Sequence, residues 1–334
     1  MKLAVQSRAV QKLEGARILI TGASGYLAWN LLRSLDAVDC EITCLTRKPS
    51  IKFEGISSSS RIRVLSGEAD WPTLLKNTDY VFHFAAQTSV PVSNADPVLD
   101  LQQNVATFVQ MLEASRALEK KPFFLIPGSE SQAGLPLTFP VDESFTDKPE
   151  SIYCLHKLFN EQYLELYTRQ SWARGTCLRL ANVYGPGPKS SSADRGVLNQ
   201  ITLRALRKEP ISIYGSGEHL RDYVYVTDVV NAFLAAAVAS DKTNGNHYIT
   251  ASGVGTKLKD AFWLSATLVS QVTGNPILLS HIDPPQGSSA VDFRNFVGNI
   301  DRIKTDTSWS PKVSLEQGLT ETITYFINQK ETHS

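Results

Sequence analysis

A tyrosine and a lysine four residues apart have the side-chain types and the spacing that proton transfer requires. Tyr153 and Lys157 lie in the segment SIYCLHKLFNEQYLELY, and on a helix residues at this spacing project from one face. An ammonium group beside a phenol favours the phenolate and lowers the pKa of the phenol toward working pH. Such a tyrosine can move a proton to or from a hydroxyl or carbonyl group. Two surface residues would show the same spacing, so the interpretation depends on what surrounds the pair.

A serine at the end of an apolar run is the second candidate. Residues 123–126, FFLI, predict a buried strand, and the chain continues as PGSESQAG. Ser129 in this stretch is a candidate catalytic hydroxyl, although an ordinary loop can also begin with small polar residues. The helix that starts near Tyr153 follows this loop, so the three side chains are expected at the same edge of a sheet.

Alternating apolar and amphipathic segments are expected to position these groups. Apolar runs predict strands at residues 17–21, 41–45, 62–65, 80–84, 123–126 and 176–180. Amphipathic segments predict helices at residues 26–35, 71–75, 97–119 and 153–169. This alternation is typical of an α/β fold with a parallel sheet and helices on both faces. After a Gly- and Ser-rich loop at 185–196 the elements become irregular, which suggests a smaller lobe packed on the sheet.

A glycine-rich turn lies between the first strand and the first helix, in RILITGASGYLAWNLLRSL. Gly22, Gly25 and Ala28 fall in a GxxGxxA frame. Glycine allows a tight turn and close approach of backbone N–H groups to a pyrophosphate, and the helix N-terminus adds positive dipole character. A purely structural turn is the alternative. We predict a Rossmann-type doubly wound domain that binds a dinucleotide over residues 1–180, and a smaller C-terminal lobe over 181–334 whose chain crosses back to the sheet.

The end of the second strand indicates which dinucleotide is bound. Rossmann sites usually place an acidic residue there to bind the ribose hydroxyls, but this strand ends CLTRKPS, with Thr46, Arg47 and Lys48. A guanidinium matches a 2′-phosphate through two parallel hydrogen bonds. The sequence therefore favours NADP over NAD, with a solvated loop that carries two cations as the alternative.

Composition excludes several other classes of protein. The 334 residues carry 33 basic and 33 acidic side chains, which argues against electrostatic binding to nucleic acid or to anionic membranes. The four cysteines form no CxxC pair and no His/Cys cluster has zinc spacing, so we predict reduced thiols and no metal site. The N-terminus lacks the apolar segment of a signal peptide, and the apolar run at 229–239 is too short to span a bilayer. These features predict a soluble cytoplasmic protein.

Taken in order, the motifs resemble those of the extended short-chain dehydrogenase/reductases, in particular the NAD(P)-dependent nucleotide-sugar epimerases and dehydratases. The resemblance runs from about residue 16 to residue 326. Its segments are TGASGYLA, DYVFHFAAQTSV, Asn104 in DLQQNVATFVQMLEA, the Ser129 loop, YCLHK, LRLANVYGPG, YGSGEHLRDYVYVTDVV and TSWSPKVSLEQGL. The resemblance implies that the C-terminal lobe mainly binds a nucleotide diphosphate sugar.

The resemblance also implies residue roles. Ser129, Tyr153 and Lys157 would be the catalytic residues, and Tyr153 and Lys157 would also contact the cofactor. The other expected cofactor-binding residues are Gly22, Ser24, Gly25, Tyr26, Leu27, Arg47, Glu68, Ala69, Phe84, Ala85, Ala86, Gln87 and Asn104. The expected substrate-binding residues are Thr88, Ser129, Glu130, Asn182, Val197, Tyr214, Arg221 and Arg294. Family members often carry another diphosphate-binding arginine before a Gly-Asp pair, and no arginine precedes Gly287 here. Arg294 could replace it, or be an ordinary surface charge.

The chemistry that the resemblance implies is hydride transfer between carbon 4 of the sugar and the nicotinamide. Tyr153 would exchange a proton with the C4 oxygen, and Ser129 would hydrogen-bond the same oxygen. Dehydratases of the family follow the catalytic residue with Asp-Glu or Ser-Glu, whereas this chain has Glu130 and Ser131. A hydroxyl is a poor base for a C–H bond, so we predict a 4-epimerase or a 4-keto reductase ahead of a 4,6-dehydratase. A non-catalytic NADP(H)-binding sensor or scaffold of the same fold is a further alternative.

Further polar residues and the assembly state complete the expectations. His83 lies in an apolar strand and is expected in the core, whereas His156 could face the site, and His219 and His247 carry no supporting pattern. Asp222 and Asp228 are expected to cap or pair structurally. Family members commonly dimerise through two helices that match residues 97–119 and 153–169. The resemblance therefore implies a homodimer with a four-helix interface, although the apolar stripes of these helices also fit packing within one chain.

Overall fold

The structure is a computed structural model that describes residues 11–47, 61–188, 196–285 and 290–331. Its strands are β1 Arg17–Thr21, β2 Glu41–Thr46, β3 Ile62–Ser66, β4 Tyr80–His83, β5 Phe123–Ser129, β6 Arg174–Leu180, β7 Asn182–Tyr184, β8 Ile211–Tyr214, β9 Leu220–Tyr225, β10 His247–Thr250, β11 Gly255–Lys257 and β12 Leu279–Ile282. Its α-helices are α1 Tyr26–Leu35, α2 Trp71–Lys76, α3 Val90–Ala95, α4 Pro97–Asp100, α5 Thr107–Arg116, α6 Ile152–Arg169, α7 Val197–Leu206, α8 Val226–Val238, α9 Ser240–Thr243, α10 Leu258–Thr273, α11 Asp301–Thr307 and α12 Leu315–Glu331.

A seven-stranded sheet in the order β10-β6-β5-β4-β1-β2-β3 forms the centre of the fold. Every pair of neighbours in it is parallel. From β1 the chain builds outward through β2 to β3, then returns to β4 on the other side of β1. The strand order therefore reverses between β1 and β4, and in such sheets ligands bind in the crevice at the carboxyl ends of the strands on either side of that point. The predicted doubly wound α/β fold with a smaller lobe is confirmed.

Both faces of the sheet are buried, which explains why its strands read as nearly continuous apolar runs. Side chains alternate across the sheet: Ile18 and Ile20 of β1 pack in one core cluster, while Leu19 packs in another. Helices α1 and α8 cover the first face, and α5 and α6 cover the second.

The smaller lobe is built from short sheets and three helices. Strands β11, β9 and β7 form one sheet, and β12 pairs with β8. Helices α7, α10 and α12 enclose a separate apolar cluster with Tyr223 and Tyr225 of β9. Between these elements the chain crosses back to the large sheet, where β10 pairs with β6.

Three elements differ from the sequence-based prediction. Residues 97–119 form α4, a π-helical segment Leu101–Ala106 and then α5, rather than one uniform helix. Strand β5 continues past residue 126 because it stays paired with β6 as far as Ser129. The last third is not irregular, since α8, α10 and α12 are long helices. Helix α8, VTDVVNAFLAAAV, is apolar nearly all round, and most of its residues are buried.

Other sequence-based expectations concern cysteines, metals and membranes. All four cysteines are free and buried. Within the described ranges, no group of three or more His, Cys, Asp or Glu side chains could hold a metal ion. A membrane-crossing helix is likewise absent from the part of the chain that the structure describes.

Candidate active site

Ser129 lies at the carboxyl end of β5 and is fixed by the turn that follows. It is the N-cap of a 3-10 turn, Glu130–Ala133. Its backbone N–H donates to Gln132 Oε1 at 2.8 Å, and its Oγ lies 2.6 Å from Ser131 Oγ. The Ser131 N–H donates to the same Oγ at 3.3 Å. These contacts hold the Ser129 hydroxyl in one orientation at the edge of the sheet.

Tyr153 and Lys157 lie on the first turns of α6, beside Ser129. The helix begins after Ser151, whose Oγ accepts the N–H of Cys154 at 3.2 Å. Lys157 Nζ donates to the carbonyl of Pro127 at 3.0 Å and lies 5.8 Å from the centre of the Tyr153 ring. The Ser129 side chain is close enough to the Tyr153 phenol to act on it, since it opposes the rise in the phenol pKa. The structure thus brings the three expected catalytic residues together at the end of β5.

Burial controls the protonation of this pair. It raises the pKa of Tyr153 well above its ordinary value, and the charges of Glu130 and Asp100 add to the rise, while the Ser129 side chain opposes it. Burial also lowers the pKa of Lys157 from 10.5 to about 8, which Asp100 partly opposes. The expectation that Lys157 lowers the pKa of the phenol is therefore wrong for this structure. Desolvation of the phenolate outweighs a cation that is itself destabilised and directed at the Pro127 carbonyl.

A buried network of hydrogen bonds links α6, which carries Tyr153 and Lys157, to the segments around Asp100 and Gln87. Asp100 Oδ2 lies 2.5 Å from His156 Nδ1, and Asp100 Oδ1 accepts from Gln87 Nε2 at 2.8 Å and from Asn104 Nδ2 at 3.1 Å. Asn104 Oδ1 in turn accepts the backbone N–H of Gln87 at 2.8 Å. His156 therefore anchors Asp100, and the network ties α6 to the loop after β4. Asp100 was not predicted as a site residue, although a carboxylate inside an apolar helix pattern was an available signal.

The glycine turn between β1 and α1 has the shape that a dinucleotide requires. Gly22 has φ +65°, and a Cβ there would lie 2.6 Å from the backbone nitrogen of Ala85. Gly25 is the N-cap of α1, and no side chain of the described residues caps it. Across the crevice, the N–H of Ala85 donates to Thr21 Oγ1 at 3.2 Å. The close backbone approach and the uncapped helix N-terminus fit a pyrophosphate, so the residues present fit an NAD(P) cofactor.

The remaining expected cofactor residues lie around this turn. Ser24 Oγ accepts from Thr46 Oγ1 at 3.3 Å, and Tyr26 Oη donates to the carbonyl of Gly185 at 3.1 Å. Arg47 is exposed at the end of β2, while Lys48 lies outside the described residues. The others are half-buried, except for the exposed Glu68: Leu27 on α1, Glu68 and Ala69 after β3, and Phe84, Ala86 and Gln87 after β4. Because β1 to β4 are parallel, these segments meet at the same edge of the sheet.

His83 belongs to the core beneath this edge. Its Nδ1 lies 2.8 Å from Thr21 Oγ1, and its ring stacks on Phe108 at 5.3 Å between centroids. Burial, with a smaller contribution from the charge of Lys157, lowers the pKa of His83 to about 3. The imidazole is therefore neutral at working pH and supports Thr21.

Two arginines and a glutamate meet where the lobe faces Ser129. Arg294 Nη2 lies 2.5 Å from Glu130 Oε1, with 13% and 5% of the two side chains exposed. Arg221 on β9 donates from Nη2 to the carbonyl of Asp292 at 2.7 Å and from Nη1 to the carbonyl of Arg294. Burial, and next the charge of Arg294, lower the pKa of Arg221 to about 10. Arg294 is thus not a surface charge. The carboxylates of Glu130 and Asp292 both act on the two guanidiniums, and a guanidinium is a donor group suited to a diphosphate.

Several buried polar atoms around these charges lack a hydrogen-bond partner among the described residues. They are Glu130 Oε2, Asn182 Oδ1, His219 Nε2, Tyr223 Oη and Arg294 Nε. Orphaned polar atoms are rare in native proteins and call for a ligand or water. Tyr223 lies two residues after Arg221 and shares its face of β9, and His219 lies two residues before Arg221, just ahead of the strand. Neither was predicted from the sequence as a site residue, although the i±2 spacing from Arg221 could have identified them.

Other expected residues lie apart from this cluster. Thr88 is exposed in the loop after β4, and Val197 on α7 and Tyr214 on β8 are 36% and 46% exposed on the lobe. Asp222 accepts the backbone N–H groups of residues 252, 253 and 298. Asp228 accepts those of residues 312 and 313. Both aspartates therefore hold loops in place, which is the structural role expected of them.

Comparison with known proteins agrees with this geometry. Residues 18–251 match the model of the NAD dependent epimerase/dehydratase family. The UDP-glucose 4-epimerase of Mycolicibacterium smegmatis is 28% identical over 323 residues, which cover 94% of this chain and 100% of that protein.

Two solved structures are similar over almost the whole chain. The UDP-glucose 4-epimerase of Thermotoga maritima with UDP-glucose is 30% identical, with a TM-score of 0.79 and coverage of 94% of this chain and 99% of that one. The UDP-N-acetylglucosamine 4-epimerase of Methanobrevibacter ruminantium with UDP-N-acetylmuramic acid is 25% identical, with a TM-score of 0.83 and coverage of 95% and 99%. This chain therefore belongs to the NAD dependent epimerase/dehydratase family and shares the fold of its nucleotide-sugar 4-epimerases.

Proposed function

We propose that this protein is an NAD(P)-dependent nucleotide-sugar 4-epimerase. The observation that carries the proposal is the grouping of Ser129, Tyr153 and Lys157 at the end of β5, next to the crevice that fits the dinucleotide. The epimerases similar to this chain act on UDP-sugars by their names, which supports a nucleotide diphosphate sugar as the substrate.

Tyr153 and Ser129 handle the oxygen on carbon 4. The glycine turn between β1 and α1 would hold the NAD(P) cofactor, which would supply the acceptor and then the donor of the C4 hydride. To accept the proton of the C4 hydroxyl, Tyr153 has to be deprotonated against the burial that raises its pKa. The Ser129 hydroxyl hydrogen-bonds the same C4 oxygen. When the hydride returns to the opposite face of the sugar, the Tyr153 phenol gives the proton back. Lys157, held by the Pro127 carbonyl, adds a positive charge beside the phenolate and binds the cofactor.

Arg221 of the lobe holds the nucleotide end of the substrate, while Arg294 pairs with Glu130. Its guanidinium suits a diphosphate, and the buried Asn182 Oδ1 and Tyr223 Oη, which have no partner among the described residues, offer further hydrogen bonds. Because hydride leaves one face and returns to the other, the sugar has to turn within the site. A firmly held diphosphate allows this turn without loss of the substrate.

A 4-keto reductase is the second candidate, and Arg47 favours it. The exposed Arg47 side chain follows β2, where no acidic residue stands, and we propose NADP rather than NAD as the cofactor on this ground. Cells keep NADP mostly reduced, which suits a reductase. An assay of NADPH consumption distinguishes the two reactions. A reductase consumes NADPH, whereas an epimerase needs no added reductant.

A dehydratase and a non-catalytic binding protein are less well supported. Ser131 replaces the glutamate that a dehydratase uses as a base, and its hydroxyl is engaged with Ser129. Glu130, the nearest carboxylate, pairs with Arg294 instead of standing free to take a proton from carbon. The arrangement of Tyr153 with Ser129 and Lys157 argues against a purely binding role.

We also propose a homodimer, a domain division near residue 180 and a cytoplasmic location. The dimer is supported by exposed apolar side chains on the helices expected to form the interface: Val98 at 64%, Leu101 at 40%, Tyr163 at 39% and Leu166 at 38%. Clusters of exposed apolar groups commonly mark protein–protein contacts. The division and the location remain predictions from the sequence.

Replacement of the phenol tests the proposed activity. Tyr153→Phe removes the proton-handling hydroxyl and keeps the ring, so turnover of a nucleotide-sugar panel is expected to fall by roughly 10³-fold. Cofactor binding, followed by dinucleotide fluorescence, should persist. Tyr163→Phe, on an exposed turn of the same helix, is the matched control and should keep full activity. Unchanged turnover in Tyr153→Phe would overturn the assignment.

A further inference from the structure

A carboxylate that the proposed proton transfer does not use lies directly beside the reacting groups. Glu130 follows Ser129 in the chain, so their Cα atoms are about 3.8 Å apart, and the Glu130 side chain is 5% exposed. Its charge acts on Tyr153, whose pKa it helps to raise after the larger effect of burial. The Glu130 carboxylate therefore lies within electrostatic reach of Tyr153, one of the two side chains proposed to handle the C4 oxygen.

An arginine of the lobe binds one oxygen of this carboxylate. Arg294 Nη2 bonds Glu130 Oε1 at 2.5 Å, and Arg294 Nη1 donates to the carbonyl of Val291 at 3.0 Å. Arg221 fixes the same segment by donating to the carbonyls of Asp292 and Arg294. The guanidinium of Arg294 is thus committed to Glu130, and the Glu130 carboxylate has a fixed orientation.

The other oxygen of the carboxylate has no hydrogen-bond partner among the described residues. This oxygen, Glu130 Oε2, is buried, and the buried Arg294 Nε likewise lacks a partner among those residues. A buried carboxylate oxygen without a donor is unfavourable, so a donor from a ligand is expected there. An ionised carboxylate only accepts hydrogen bonds, which restricts the chemistry of that ligand.

We propose that Glu130 is a specificity-determining residue, which binds a hydroxyl on a neighbour of carbon 4 and excludes sugars that carry a carboxylate there. The inference rests on the proposed function, because that function places O4 beside Ser129. The neighbours of C4 carry the substituents on C3 and the exocyclic C6 group, and one of these meets Glu130 Oε2. An acidic substituent would bring two carboxylates together in a buried site. It could take over Arg294 only by leaving Glu130 buried without its cation, which is strongly unfavourable.

Two matched pairs of nucleotide sugars test the proposal. UDP-glucuronic acid differs from UDP-glucose by a carboxylate at C6, and UDP-N-acetylmuramic acid differs from UDP-N-acetylglucosamine by a carboxylate-bearing group on O3. We expect the dinucleotide-loaded wild-type protein to bind the acidic member of at least one pair about 30-fold or more weakly than its neutral counterpart. The pair that shows the discrimination identifies the substituent that faces Glu130. Equal or tighter binding of both acidic sugars would overturn the proposal.

The variant Glu130→Gln separates charge from size. It keeps the shape of the side chain and removes its charge, so the discrimination in the affected pair should shrink at least tenfold, in calorimetric Kd and in kcat/KM. Glu218→Gln, which removes an exposed carboxylate paired with Lys257 and Lys259, should leave the ratio as in the wild type. A ratio that Glu130→Gln does not change contradicts the role of Glu130. The wild-type ratios remain a test even if this variant does not fold.

The binding measurements also keep the two proposals apart. Neutral nucleotide sugars that bind without being epimerised would refute the proposed function while leaving the affinity ratios to judge Glu130. Normal epimerisation with no discrimination in either pair would refute the role of Glu130 alone. Failure to bind any of the four nucleotide sugars would overturn both proposals.

Discussion

Replacement of Lys157 by methionine is expected to stabilise the protein while it abolishes activity. Lys157 is 6% exposed, and its pKa falls from 10.5 to about 8 because burial disfavours the charged form. Each pKa unit corresponds to about 1.4 kcal/mol, so at pH 7 the folded state loses about 3 kcal/mol by keeping this ammonium group charged. Methionine removes that cost but leaves the carbonyl of Pro127 without its donor, which offsets about 1 kcal/mol. The expected gain in unfolding free energy at pH 7 is therefore about 2 kcal/mol.

The gain should depend on pH in a defined direction. Between the folded pKa near 8 and the ordinary value of 10.5, the unfolded chain binds a proton that the folded chain has released. Stability of the wild type therefore rises with pH through this window. At pH 9 the wild type recovers about 1 kcal/mol relative to pH 7, so the advantage of Lys157→Met shrinks to about 1 kcal/mol.

Urea denaturation of nucleotide-free protein at pH 7 and pH 9 measures both effects, because midpoints at a common slope give the difference in unfolding free energy. Turnover of Lys157→Met should fall at least about a hundredfold, as expected when the group beside the phenolate is lost. Lys121→Met is the control, since Lys121 donates to the carbonyl of Leu118 at 2.9 Å near the surface, and its change should stay within about 0.5 kcal/mol. A Lys157→Met protein less stable than the wild type at pH 7, or a gain that is the same at both pH values, would refute the reasoning.

Three further outcomes are expected. Arg47→Ala should weaken NADP⁺ binding at least about tenfold and leave NAD⁺ binding nearly unchanged; equal losses for both dinucleotides in a titration would contradict NADP preference. Gly22→Ala should lower the midpoint of thermal unfolding and the affinity for the dinucleotide far more than Gly15→Ala. Both glycines have positive φ, but only a Cβ at Gly22 would meet backbone atoms, at 2.6 Å. Similar effects of the two changes would show that packing against Ala85 is unimportant. Val98→Glu should convert the dimer to a monomer in sedimentation velocity, whereas Val272→Glu, at a similar exposure of 60% against 64%, should not; a monomeric wild type would refute the dimer.

Local patterns were sufficient to predict six of the seven strands of the large sheet, all except β10, and the position of Ser129, Tyr153 and Lys157 at its edge. The glycine turn follows β1 directly, and the helical spacing of Tyr153 and Lys157 is a local property of the chain. Partners that are distant in sequence could not be predicted in the same way. Glu130 and Arg294 are separated by 164 residues, and Asp100 and His156 by 56. No local period reveals such pairs, because only the folded sheet and lobe bring them together.

Burial is the second reason why parts of the site escaped the sequence analysis. The spacing of Tyr153 and Lys157 predicted a lowered phenol pKa, but desolvation acts in the opposite direction and is larger. Helix α8 is apolar on nearly every side because the neighbouring elements enclose it. In both cases the outcome depends on how much water the neighbouring elements exclude. The local sequence around these residues does not reveal that.

The central claim is that Ser129 and Tyr153 serve a hydride transfer that is reversed at the same carbon. The most direct measurement uses UDP-glucose and UDP-N-acetylglucosamine deuterated at C4, incubated with the protein in ordinary water without added NAD(P)H. Proton NMR and mass spectrometry of the products should show the C4 epimer of at least one sugar with its deuterium retained. Loss of deuterium to water, a requirement for added NAD(P)H, or no epimer from either sugar would contradict the account.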